Sequence, residues 1–245
     1  MDPTNQYQDV FQRYEQKYLL QEKQYRIIRR ELQNRIVPDQ YGKSTICNIY
    51  FDTPDFRIVR SSLAKPVYKE KLRLRSYGVP GMKNTVFVEL KKKYKGIVYK
   101  RRADMSLEEA VQYLYRGGRA PKSSQILKEI DWVRSYYPGI RPAMALFYDR
   151  VALYGAEDPS LRITFDSNIL WRTESLALNR GVWGTPLLAP GQYLMELKTP
   201  GAVPLWVAHI LDRAQVYPCS FSKYGRAYQN SCCGKIVKKG VEECA

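Results

Sequence analysis

Three pairs in this chain place a glutamate two positions before a lysine: Glu15/Lys17, Glu89/Lys91 and Glu196/Lys198. In an extended backbone that spacing turns both side chains to one face, a carboxylate beside a cation. The segment 68–77 repeats the alternation with Lys69, Lys71, Arg73 and Arg75 on one side, against Glu70, Leu72 and Leu74 on the other. Lys100 with Arg102, then Arg150, then Arg162, fall on further segments of the same character. Guanidinium forks bind phosphate oxygens two at a time and ammonium groups neutralise them as point charges. A carboxylate or two among them can hold Mg²⁺ or Mn²⁺, which bridges phosphate oxygens. Phosphate handling is the chemistry this set points to. A solvated outer face is the competing explanation, but such faces mix Ser, Thr, Gln and Lys. They do not repeat Arg with isolated Glu on strand after strand.

The elements that must position these groups are strands. Segments 13–20, 45–52, 68–77, 85–93, 97–105, 142–154, 161–171 and 192–199 are β-branched, aromatic or alternating. Gly78-Val-Pro-Gly81 is the turn of a hairpin between 68–77 and 85–93. Helices are expected over 21–34, 54–63, 106–117, 123–137 and 204–217. Ser106-Leu-Glu-Glu109 supplies a capping box for the third. Segment 221–227 reads as a short turn or helix start. Segment 172–190 has no assignable pattern and reads as a loop or lid. The expectation is an α+β fold: an antiparallel sheet of about eight strands closed into a barrel, with helices packed outside and cations within. Crowded cations repel one another, so removing Arg73 or Arg75 is expected to raise stability while abolishing phosphate contacts. Residues 1–230 read as one domain and 231–245 as a loose basic tail.

The chain has 245 residues, 44% of them hydrophobic and 13% aromatic, enough for one sizeable core. Its net charge of +16 and pI near 9.6 call for an anionic partner: nucleic acid, a membrane surface or a phosphorylated molecule. Nucleic acid ranks last, because the cations alternate into an interior instead of lining one outer helix. No stretch reaches the length of an apolar membrane span, and the opening Met-Asp-Pro-Thr-Asn-Gln lacks signal-peptide character, so a cytoplasmic location is expected. Five unevenly spread cysteines imply neither a disulfide framework nor a zinc site. His209 reads as a packing or surface residue, and Leu205, Trp206 and Ile210 as core. Neither a phosphate-binding glycine loop of the G-x-x-x-x-G-K-[ST] type nor a kinase signature set occurs.

Nine short motifs follow one another: Lys17-Tyr18, Ile49-Tyr-Phe-Asp52, Leu72-Arg-Leu-Arg-Ser-Tyr-Gly78, Val86-Phe-Val-Glu-Leu-Lys91, Val98-Tyr-Lys-Arg-Arg102, Phe147-Tyr-Asp-Arg150, Arg162-Ile-Thr-Phe-Asp166, Met195-Glu-Leu-Lys198 and Phe221-Ser-Lys-Tyr224. In that order they resemble the catalytic domain of the vacuolar transporter chaperone (VTC) complex, a polyphosphate polymerase of the triphosphate tunnel, or CYTH-like, superfamily. The resemblance runs from residue 13 to 225. It implies that Arg73, Arg75, Lys91 and Arg150 are catalytic, and that Lys17, Lys100, Arg102, Arg162, Lys198 and Lys223 bind phosphate. It implies a metal, Mn²⁺ or Mg²⁺, on Glu196 with Glu89 in support. The implied reaction moves the ATP γ-phosphoryl group onto inorganic polyphosphate. Hydrolases of the superfamily open with E-x-E-x-K; Arg13 stands at the first Glu position and leans away from hydrolysis. The membrane and phosphate-sensing domains of eukaryotic relatives have no counterpart in this sequence, so the resemblance does not extend to export of the product by this chain alone and leaves room for a membrane partner on a separate chain. A catalytically silent phosphate-binding module and a triphosphatase or polyphosphatase are the alternatives.

Overall fold

The computed structural model describes residues 14–95 and 97–242, with side chains through residue 232. Arg13, Cys233 and Cys244 lie outside the described residues or side chains. Nine strands among the described residues form one antiparallel sheet: β1 (Tyr14–Gln21), β2 (Ile36–Asp52), β3 (Tyr68–Tyr77), β4 (Thr85–Tyr94), β5 (Ile97–Ser106), β6 (Arg141–Gly155), β7 (Arg162–Arg172), β8 (Thr185–Pro186) and β9 (Gln192–Thr199). They are ordered β1-β9-β7-β6-β2-β3-β4-β5, with β8 paired to β7.

The sheet is open, which corrects the expectation of a closed barrel: β1 and β5 are its two edges and share no backbone ladder. It curls nonetheless. Glu15 on β1 lies 3.6 Å from Lys91 on β4, although these strands stand near opposite ends of the order. The chain after the last strand covers the β1 edge, where the Cys219 amide donates to the Lys17 carbonyl at 2.7 Å. Lys71 Nζ on β3 then donates to Ser222 Oγ at 2.9 Å, tying that segment to the far half of the sheet. Side chains and one loop bridge the gap that a ladder would have closed.

Alternation sorts the apolar residues onto the convex face, and helices cover them there. Helix α1 (Glu22–Leu32) and a later helix (Leu205–Arg213) seal one half over Tyr18, Ile163, Phe165, Met195 and Leu197. The other half, around Ile49, Leu72, Leu74, Val86, Val88 and Leu90, is covered by α3 (Leu107–Ala110), a π-helical turn (Val111–Tyr115) and α4 (Gln125–Tyr136). The Ser106 box forms as its spacing requires: Ser106 Oγ accepts from the Glu109 amide, and Glu109 accepts from the Ser106 amide at 2.8 Å. On α5, the helix Leu205–Arg213, Ile210 is buried but Leu205 is 70% exposed, so Leu205 is not a core residue; His209 is on the surface.

Not every helix is outside. The last one, α6 (Lys223–Glu242), starts on the concave face, where Phe221, Tyr224 and Ala227 pack with Tyr50, Met144, Leu146 and Leu194. Tyr224 stacks on Tyr50 at 4.6 Å and its hydroxyl donates to Asp52 at 2.7 Å. Asp52 also accepts from the amides of Thr53, Ile58 and Val59 and from the Thr53 hydroxyl, so this carboxylate caps α2 (Arg57–Leu63) as well. Gly225 allows the close approach: a Cβ there would meet Leu63 at 2.8 Å. Of residues 231–245, read as a loose tail, 231–242 lie within the span of α6 and 243–245 lie outside the described residues.

Candidate functional site

Register across the sheet assembles the polar face row by row. Tyr50, Arg73, Glu89 and Arg102 lie side by side on β2, β3, β4 and β5; the next row holds Lys71, Lys91 and Lys100. On the other half, Lys17, Glu196 and Thr164 form one row, and Glu15, Lys198 and Arg162 the next. All twelve residues expected in the site therefore share the concave face, Lys223 reaching it from the first turn of α6.

Two carboxylates organise this face. Glu89 is fully buried. Its Oε2 accepts from Arg73 at 2.7 and 2.8 Å; its Oε1 accepts from Arg102 at 2.6 and 2.8 Å and from Lys100 at 2.8 Å, while Arg75 stands 3.8 Å off. Burial alone would raise the Glu89 pKa, but Arg73, Arg75, Lys100 and Arg102 outweigh it and hold the carboxyl well below its ordinary range. Arg75 is oriented by Asn48 Oδ1 and the Tyr148 hydroxyl, both at 2.9 Å. Arg73 also reaches the Tyr50 hydroxyl at 3.1 Å.

Glu196 is held more loosely. Lys223 and Lys198 stand 3.3 Å from it, Arg150 3.5 Å and Lys17 3.8 Å, none at the short distance seen at Glu89. Here too burial raises the pKa, and the cations, led by Lys223, overcome it. Asp166 takes the fork of Arg150 bidentately at 2.6 and 2.7 Å and also pairs with Lys223. Glu15 joins Lys17 at 3.3 Å, Lys91 and Lys198; burial opposes ionisation, but these cations bring its pKa down to about 2. The Tyr148 ring lies under Arg150 and Lys223 and links the two clusters. Arg162 Nε and Thr164 Oγ1 are buried without partners, beside Lys198 and Glu196.

Sequence reasoning did not assign Asn48, Tyr50, Tyr148 or Asp166 to the site, and used Glu15 only as half of an E-x-K pair. Their signal was parity: each stands an even number of residues from a cation on its own strand or pairs in register with one. Among the described residues no group of three or more His, Cys, Asp and Glu is placed to hold a metal, and no helix is long and apolar enough to cross a membrane.

The model of the VTC domain family matches residues 12–231. The chain belongs to the VTC domain family. Its nine motifs therefore mark a VTC domain, and the match covers every strand described above. A comparison with curated proteins gave no match. Among solved structures, the chain is similar to a "putative adenylate cyclase" from Bacillus halodurans, with a TM-score of 0.53 and 15% identity over 87% of this chain and 95% of that one. A second "putative adenylate cyclase", from Vibrio parahaemolyticus, gives a TM-score of 0.47 and 10% identity over 89% and 99%. At these identities only the first likeness bears on the VTC domain, and on its fold alone.

Proposed function

We propose that this VTC domain is a polyphosphate polymerase, transferring the γ-phosphoryl group of ATP to the end of an inorganic polyphosphate chain on the concave face. The observation that carries the reading is the pairing of a cation-rich, largely buried face with a buried carboxylate, Glu196, whose four cations all stand 3.3 Å or more away. A terminal oxygen of the polyphosphate chain bonds to the γ-phosphorus as the bond to the β–γ bridging oxygen breaks. ADP leaves with that oxygen, so no protein nucleophile or proton donor is needed. Arg73, Arg75 and Arg102, fixed by Glu89, Asn48 and Tyr148, present guanidinium groups already aligned. Arg150, Lys198, Lys223 and Lys17 surround the opposite side. Catalysis is then positioning plus neutralisation of charge on the transferring group.

The donor chemistry separates the two expected metal ligands. Both Glu89 oxygens already accept short bonds from guanidinium or ammonium groups, so this carboxylate does not fit a metal. Glu196, with the unpartnered Thr164 Oγ1 beside it, is the carboxylate that would hold one Mn²⁺ or Mg²⁺ together with the bound phosphates. A metal bound there would neutralise phosphate charge and orient the phosphates.

Incubation of the purified protein with ATP and Mn²⁺, followed by assay of polymer and free phosphate, tests it. Polymer with stoichiometric ADP is expected. Free phosphate without polymer indicates a triphosphatase, and binding without turnover indicates a silent module.

A further inference from the structure

The rows across β3, β4 and β5 differ in one respect. The Arg73–Glu89–Arg102 row has a carboxylate at its centre. The next, Lys71–Lys91–Lys100, has none, and the one after sets Lys69 opposite Lys93. Two successive pairs of like charges therefore face each other directly, an arrangement that costs stability in a bare sheet. Lys91 and Lys100 find carboxylates by reaching to Glu15 and Glu89. Lys69, Lys71 and Lys93 have no ion pair among the described residues; Lys71 has only the Ser222 hydroxyl. None of the three is fully exposed. Solvation thus relieves the repulsion only in part, and this end of the face is left with excess positive charge.

We infer that Lys69, Lys71 and Lys93 form an anion subsite of their own, which grips the stretch of a linear phosphate chain lying beyond the reacting phosphates. Successive rows are about 6.6 Å apart along a strand, so a chain running from Glu89 toward Lys93 passes the Lys71–Lys91–Lys100 row and then the Lys69–Lys93 pair. Lysine suits this role: a point charge on a flexible stem neutralises a sliding polymer without fixing its register, as a guanidinium fork would. Burial, and then the neighbouring cations Lys93, Lys17, Lys65 and Lys91, lower the Lys69 pKa, as expected of a site short of negative charge.

The subsite rests on the polyphosphate reading, and the test separates the two. The full chain, and its variants Lys69→Gln, Lys93→Gln and the double substitution, are titrated calorimetrically with tripolyphosphate and with linear polyphosphate of some tens of units. Lys128→Gln, an exposed lysine on the outer helix α4, controls for loss of charge alone. The double variant is expected to lose at least tenfold in affinity for the long chain while tripolyphosphate stays within twofold, and Lys128→Gln to leave both unchanged. Melting temperatures should hold or rise, since like charges have been removed. Equal loss for both lengths, or no loss for either, overturns the subsite but leaves the polymerase reading standing. Failure of the unsubstituted protein to bind either length overturns both. Single-stranded nucleic acid that competes as well as the long chain, and is weakened equally by the substitutions, makes this a general polyanion surface and also overturns it.

Discussion

At Glu89 five short nitrogen–oxygen contacts fill both carboxylate oxygens; at Glu196 every contact is 3.3 Å or longer. Identical side chains on one face should therefore respond differently to Gln. Glu196→Gln is expected to lower polymer synthesis at least 100-fold while metal-free tripolyphosphate binds as well or better, because an anion has left the site. Synthesis within a few-fold of wild type at saturating Mn²⁺ would remove Glu196 from the metal. Glu89→Gln leaves the half-buried Arg73 and Arg102 without their buried counter-charge, so unfolding free energy should fall by about 3 kcal/mol, with no rescue by Mn²⁺. Denaturant titration with and without metal checks this. The same contacts reverse one expectation from sequence: Arg73 is part of a compensated cluster, so Arg73→Ala should destabilise rather than relieve repulsion.

Among the elements, the segment after β7 shows how one side chain can take the place of a ladder. Arg172 ends that strand, and its guanidinium donates to the carbonyls of Glu174, Ser175, Ala177, Gly181 and Trp183. It lies between Phe147 and Trp183, 4.5 and 4.2 Å from their rings. Apart from the short β8 paired to β7, residues 172–190 are thus a loop wound around a buried cation. Arg172→Ala should cost about 3 kcal/mol, since several charge-assisted bonds go at once. Arg172→Lys should not restore the loss, because an ammonium group cannot serve five carbonyls spread around a planar fork. Thermal unfolding of both variants measures it, and a Lys variant matching wild type would show that charge alone holds the loop.

For the molecule as a whole, crowded cations set a pH dependence. Burial, then neighbouring cations, lower the pKa of Lys71 to about 8 and of Lys100 to about 7, against partial support from Tyr50 and Glu89 respectively. Tyr50, facing Lys71 with Lys17, Lys69 and Lys91, is itself lowered to about 8: burial would raise it, but Arg73, Lys71 and Arg75 prevail. All three groups have folded pKa values below their unfolded ones. From about pH 8 to 10 the unfolded chain therefore binds more protons, and these groups make the ligand-free protein more stable as pH rises. A bound polyanion favours the protonated forms, so polyphosphate affinity should fall from pH 7 to 9 and binding at pH 8 should take up protons. Calorimetry in buffers of different ionisation enthalpy reads that uptake; proton release on binding would contradict the assignment.

Alternation alone determined which residues share a face. The period of a strand is two whatever surrounds it, so Arg73, Arg75, Glu89, Lys91, Glu196 and Lys198 could be placed together from their spacing, and turn and capping residues marked most element ends. The first part of β2, before residue 45, was not legible: it contains Pro38 and Gly42, which an irregularity between Pro38 and Lys43 accommodates within the strand. Closure, too, depends on how far the sheet curls, which no strand encodes alone; hence an open sheet bridged by Glu15, Lys91 and Ser222. The tertiary structure also decided which carboxylate is saturated and which is loosely held. E-x-K reads the same at residues 89 and 196, but Glu89 has arginines in register on both neighbouring strands, whereas Glu196 has Lys17 on one side and Thr164 on the other. Two guanidinium forks can saturate a carboxylate from both sides; one lysine and a hydroxyl leave it open.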